Sequence, residues 1–136
     1  MPSHDSLEKE YFDVSANMRQ YANMRFAQLT LMVAATGALV ATMAGHDKPV
    51  PDALSIVLKI AGIVVALVFW AMEERAADYW HHFARRAVCL EQILGFEQYG
   101  KRPAQRFFTA TNAARLLYIG VLALWVSALI AGRGLF

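Results

Sequence analysis

Cysteine is almost missing from this sequence. Cys89 stands alone, so no disulfide can close within one chain and no cysteine-based metal site can be built from it. Proline is scarce too, at Pro2, Pro49, Pro51 and Pro103 only. Because proline interrupts helices, the intervals between these positions are open to long ones, and Ser3 to Thr36 contains neither proline nor glycine. There is no glycine-rich phosphate loop of the kind that cradles nucleotides. There is no His-x3-His pair, and the adjacent His81 and His82 would point ~100° apart on a helix, too far to chelate one ion. No cofactor and no metal are therefore expected.

Charge is the next shortage. The composition is 57% hydrophobic and 18% charged with mean hydropathy +0.34, against about 25% charged in a soluble domain. The apolar residues also come in blocks. Phe26 to Gly45 is a run of 20 residues without a formal charge, Ala53 to Met72 is another 20 broken only by Lys59, and Leu116 to Gly132 is 17. A helix rises ~1.5 Å per residue, so ~20 residues cross a ~30 Å hydrocarbon layer. The third block reaches that length by taking in Ala113–Arg115, whose arginine extends to the headgroups. The expectation is an all-α membrane protein in one domain, 1–136, with transmembrane helices at 26–45, 53–72 and 113–132. None of these blocks holds a histidine, which argues against axial haem ligation inside them. A soluble bundle of fully buried helices is the competing reading, and the lack of amphipathic periodicity within the blocks weighs against it. The first 25 residues carry Asp5, Glu8, Glu10 and Asp13, unlike a secretory signal, so all three spans are expected in the mature protein.

Lysine and arginine set the sidedness. Lys9, Arg19 and Arg25 precede the first span, and Arg75, Arg85, Arg86, Lys101, Arg102, Arg106 and Arg115 lie between the second and third. Only Lys48 and Arg133 fall in the alternate segments. Ten against two places the N-terminus and residues 73–112 in the cytoplasm, and the turn at 46–52 and the C-terminus outside. For a bacterial chain this means the inner membrane.

The turn "GHDKPVPD" is short and contains two prolines, which forces spans one and two into an antiparallel hairpin. The flanking cytoplasmic segments read as continuations of the same helices. Leu7, Tyr11, Val14, Met18 and Tyr21 recur at spacings of 4-3-4-3, and Ala76, Trp80, Phe83, Ala87, Leu90 and Leu94 at 4-3-4-3-4. A 3.5-residue period is the seam of packed helices. Two long helices near 5–44 and 52–94 are predicted, with residues 5–25 and those after 73 forming a hairpin that extends into the cytoplasm. Gly95 is the expected stop, in left-handed conformation. A third helix is predicted from Pro103–Ala104 through "QRFFTATNAARLLY" into the third span.

Several residue groups are candidates for function. Lys59 lies about seven residues into the second span, ~10 Å deep. Intramembrane charge is costly and faces protein or water, so Lys59 either reaches back to the outer surface or, in an oligomer, rings a pore that favours anions. Gly37, Ala41 and Gly45 in the first span, and Ala123, Ser127 and Ala131 in the third, are four apart and form faces where helices can pack closely, within a protomer or between copies. Arg85, Arg86, Lys101, Arg102 and Arg106, with Trp80, Phe83, Phe107 and Phe108 nearby, make a basic patch. Nucleic acid or a nucleotide is one ligand for it, but attraction to anionic lipid is favoured. Arg75 and His81 match the loose R-x5-H spacing of HEPN-type ribonucleases, yet nine arginines and four histidines in 136 positions produce about one such spacing by chance. Glu73, Glu74, Glu91 and Glu97 read as solvated or interhelical charges, and no nucleophile has a fixed partner. No enzyme is expected.

The N-terminal helix "YFDVSANMRQYANMR", the hairpin, and "RRAVCLEQILGFEQYG" beyond it resemble the small helical membrane effectors of bacterial antiviral and conflict systems. The nearest are the SLATT-like two-pass effector domains and the membrane accessory proteins of RNA-targeting CRISPR systems. The resemblance covers residues 7–100 at the level of architecture, and the third span departs from a strict two-pass pattern. It implies a regulated homo-oligomer that disrupts membranes, with a pore as one form of that action, and carries over no catalytic residue. The expected partners are lipids, further copies of the chain and a cytoplasmic protein. An anchor whose cytoplasmic hairpin recruits that protein without forming a pore is the alternative, and a divergent HEPN-like nuclease a distant third.

Overall fold

A computed structural model describes residues 3–44, 50–101 and 109–131. They form three helices and, among the described residues, no strand. α1 is His4–Ala44, α2 is Asp52–Leu94 and α3 is Ala110–Ile130. All three are long and apolar enough to cross a membrane. α1 has 41 residues and α2 has 43, about twice what a span requires, whereas the 21 of α3 match one crossing of ~30 Å.

The ends have local causes. Ser3 caps α1: its Oγ accepts from the Ser6 N–H at 3.2 Å, with Asp5 in the first turn. α2 ends at Gly95, whose φ of +78° is costly for any residue with a Cβ. The Phe96 N–H then donates to the Glu91 carbonyl at 3.1 Å, closing a Schellman turn. α3 corrects the predicted start. Thr109 is extended, at φ −82° and ψ 152°, and its side chain accepts from the Asn112 N–H, so the helix begins at Ala110 instead of running unbroken from Pro103–Ala104. Threonine competes for backbone donors and favours caps over helix interiors. Residues 103–108 of that predicted helix lie outside the described residues, as does most of the 46–52 turn.

The chain divides into two compact units. The first comprises Met1–Phe26 and Glu73–Phe108. Tyr11, Val14, Met18, Ala87 and Leu90 form its core, with Leu7, Trp80, Phe83, Ala84, Leu94 and Tyr99 packed against them. The two predicted seams meet here. Their direction follows from the contacts: Tyr11 reaches Glu91, Glu10 reaches Arg86, Tyr21 stacks on Tyr79 at 5.4 Å, and Arg25 reaches Glu73. Partner numbers fall as those of α1 rise, so the strips of helix are antiparallel.

The second unit comprises Ala27–Met72 and Thr109–Phe136. Met32, Ala66, Tyr118, Trp125 and Ala128 are its buried apolar residues. Trp70 stacks on Tyr118 at 6.5 Å and Gly62 lies against Trp125, which sets α2 and α3 antiparallel. Most of its apolar surface is left outside. In each helix only 17% of the most apolar 18-residue window is buried, and Leu31, Val57, Val64, Leu116 and Ile130 are all more than half exposed.

Candidate functional site

Glu91 of the first unit accepts from donors on α1 and on the turn after α2. It follows Leu90 on α2, so the rotation that buries the seam also carries it inside, to 2% exposure. A buried carboxylate requires donors, and three converge. The Tyr11 hydroxyl donates at 2.9 Å, the Tyr99 N–H at 2.8 Å and the Gly100 N–H at 2.8 Å. Two of the donors are backbone groups of the turn after α2, so one carboxylate ties that turn to α1. Burial alone would push the Glu91 carboxyl up, but the Tyr99 and Gly100 amides with the Tyr11 hydroxyl outweigh it and hold it below its ordinary value. Burial and the adjoining carboxylate push the Tyr11 hydroxyl up to about 12. The pair is a buried contact in which the phenol donates and the carboxylate accepts. Beside it an open cleft of about 380 Å³ is lined by Gln92, Glu97 and Lys101.

A second buried polar contact joins Arg25 to Glu73. The Arg25 Nε donates to Glu73 Oε1 at 2.8 Å, and the side chains are 16% and 4% exposed. Arg25 is the last cation before the first uncharged run, and Glu73 the first acid after the second.

The sequence-level candidates fare unevenly. Lys59 is 4% exposed, whereas Ile56 and Ile60 beside it are about half exposed. Its side chain is buried within its own unit of the protomer. Gly37 and Ala41 are exposed, with open space where a Gly37 Cβ would stand. Ala123, Ser127 and Ala131 are exposed too, and the Ser127 hydroxyl donates to the Ala123 carbonyl of its own helix. Neither small-residue face packs within the protomer; Gly45 lies outside the described residues. The close approach falls instead at Gly62, where a Cβ would stand 2.3 Å from Trp125 Cε2.

The basic patch is partly spent on internal pairs. Arg86 bonds Glu10 at 2.6 Å and Lys101 bonds Glu97. Arg85 is exposed, while Arg102 and Arg106, with Phe107 and Phe108, lie outside the described residues. Of its aromatics, Trp80 and Phe83 pack on the first unit's core. Arg75 sits over the Tyr79 ring at 5.9 Å, and His81 lies edge-on to Trp80. Six residues on one helix leave Arg75 and His81 ~120° apart in rotation, so the two do not converge. Cys89 is exposed. No group of three His, Cys, Asp or Glu gathers as a metal site among the described residues.

Sequence reasoning missed the carboxylate cluster at Glu91, the Arg25–Glu73 pair and the glycine notch at Gly62. Signals existed for each. Glu91 adjoins a seam position, Arg25 and Glu73 bracket the uncharged runs, and a glycine inside a helix usually has a packing reason.

No protein-family model, curated protein or solved structure matches the chain.

Proposed function

We propose that this chain is a non-enzymatic, multi-pass inner-membrane protein that self-assembles, and that it acts as a membrane-perturbing or pore-forming effector controlled through its cytoplasmic helical hairpin. One observation carries the reading: the apolar exterior of the second unit. Side chains such as Val57, Leu116 and Ile130, exposed by 59%, 60% and 81%, have no counterpart on a water-facing surface of this extent. Lipid covers them at no cost, and further copies can share them. The excess of lysine and arginine before the first span and between the second and third supports a cytoplasmic N-terminus and a periplasmic C-terminus. The resemblance to SLATT-like effectors supports the defence-type role.

A second reading draws on the first unit. Phe12, Ile93 and Phe96 are exposed by 58%, 63% and 40%, and Phe96 lies 5.2 Å from the Tyr11 ring. Apolar groups at that end favour an anchor that recruits a soluble cytoplasmic protein.

Three measurements test these readings together. Reporters at the two termini should place Phe136 in the periplasm and the N-terminus in the cytosol. The detergent-solubilised particle should hold several copies. Overexpression should depolarise cells, less so for Lys59→Ala or Lys59→Glu. A monomeric particle with no depolarisation removes the effector and leaves the anchor; a chain that stays dissolved without detergent removes both.

A further inference from the structure

The cations of the first unit fall into two groups. Lys9, Arg25, Arg86 and Lys101 each pair with a carboxylate. Arg19, Arg75 and Arg85 have no carboxylate partner among the described residues. Of these three, Arg75 is the one seated on an aromatic ring. Asp78 follows it by three positions on α2, yet the guanidinium lies over Tyr79, 5.9 Å from the ring centroid. Tyr79 stacks on Tyr21 of α1 at 5.4 Å and 14°, and Tyr21 meets Phe83 at 5.7 Å. Both helices of the hairpin thus build one aromatic shelf under the cation. Its outer side is open, since Arg75 is exposed and Tyr79 is 41% exposed.

The shelf stands at the height of lipid headgroups. Arg75 is the third residue after Met72, where the second apolar run ends, so it lies ~4.5 Å beyond the hydrocarbon along α2. The headgroup layer adds ~5–7 Å on each side of a bilayer. Helix side chains lean toward their own N-terminus, and the N-terminal direction of α2 from here is toward the membrane, so the Tyr79 ring leans back over Arg75. Tyrosine is enriched at this level because its ring is apolar and its hydroxyl is wet. Arg85 lies ~20 Å beyond Met72, well past the Debye length of ~8 Å.

We infer that Arg75, held on the Tyr21–Tyr79 shelf, is a binding site for the headgroup phosphate of an anionic phospholipid in the cytoplasmic leaflet. A guanidinium presents paired N–H donors that match two phosphate oxygens, and stacking on the ring limits the orientations it can take. The lipid must carry net negative charge. A choline headgroup seeks an aromatic face, but Arg75 already covers that of Tyr79, and its charge repels a quaternary ammonium. The site rests on the membrane reading above and requires neither a pore nor a particular copy number.

The test uses the full chain, purified in neutral detergent, stripped of lipid and offered equal amounts of phosphatidylglycerol and phosphatidylcholine. Bound lipid is counted by native mass spectrometry. The expected result is preferential retention of phosphatidylglycerol. Arg75→Gln should reduce that preference by about fivefold or more, the effect of one cation near a membrane surface. Tyr79→Leu keeps the cation but removes its ring, and should reduce it by about threefold. Arg85→Gln should change it by less than about twofold. No preference in the parent protein overturns the site, whatever the variants do. An unchanged preference in Arg75→Gln overturns it as well, as do equal losses in Arg75→Gln and Arg85→Gln, which mean diffuse attraction only. Release of the lipid by millimolar inorganic phosphate overturns the lipid as the source of the phosphate. Helix content by circular dichroism checks the fold of each variant. A chain that needs no detergent overturns the membrane reading; one that needs it and shows no preference overturns the site alone.

Discussion

Glu91→Ala isolates what a single carboxylate does for the turn after α2. In the intact protein the Tyr99 and Gly100 amides donate to that carboxylate at 2.8 Å each, and the Tyr11 hydroxyl at 2.9 Å. Hydrogen bonds to a charged group contribute about 1.5–3 kcal/mol each. Gly100 is exposed and Tyr99 half-buried, so both amides can turn to water when the carboxylate is gone, and the low end of that range applies to them. Two such bonds amount to about 3 kcal/mol against local opening of the turn. At 1.4 kcal/mol per tenfold, exchange of the two amides should quicken by about 100-fold. Hydrogen exchange read by mass spectrometry over residues 95–101 measures this directly. Tyr11→Phe removes only the third donor and leaves both amides in place, so it should change their exchange by less than about tenfold. The reasoning fails if Glu91→Ala leaves the two amides within about threefold of the parent, or if Tyr11→Phe matches its effect.

Gly62→Ala places a methyl 2.3 Å from the Trp125 ring, and the forced separation of α2 and α3 should cost about 1–3 kcal/mol in mixed-micelle unfolding; Gly37→Ala, with open space at its Cβ, should cost far less. Arg25→Met strands the 4%-exposed Glu73 side chain and should destabilise by about 3–5 kcal/mol, most of it recovered in Arg25→Met/Glu73→Leu because the orphaned charge is then gone. Acid and alkali should each loosen the first unit. The Glu91 carboxyl is held below its ordinary 4.5, so its contribution is complete above that pH and is lost as pH falls through the lower folded value. The Tyr11 hydroxyl is raised from 10.0 to about 12, so its contribution is complete below pH 10 and disappears as pH rises toward 12, and Tyr11→Phe should flatten the alkaline limb of a stability–pH curve.

How far each feature could be read from sequence follows the range of the interaction behind it. The seam residues Tyr11, Val14, Met18, Ala87 and Leu90 were legible because a helix repeats every few residues, and the side chains that must leave water announce themselves by that period. Gly95 was legible because only glycine accepts the left-handed turn without strain. The start of α3 was misread because the pull of Pro103 toward helix was weighed and the capping power of Thr109 was not. Glu91 read as one more interhelical or solvated acid; its three donors come from positions 80 residues before it and 8 and 9 after it, a convergence no local pattern records. Within the protomer the close approach formed at the isolated Gly62, because a large ring from another helix occupies the space beside it, and no four-residue spacing marks that position.

From the chain of residues alone came three apolar helices, two of them twice the length of a span, with the glycine stop of the second, their seams and an uneven placement of basic charge. These depend on backbone geometry and on transfer from water, which act on each segment by itself. Only the folded arrangement decided which acid is held by donors, which lysine turns inward and which glycine admits a tryptophan. Those outcomes depend on side chains far apart in sequence arriving at one place in the correct rotation, and rotation is settled by packing.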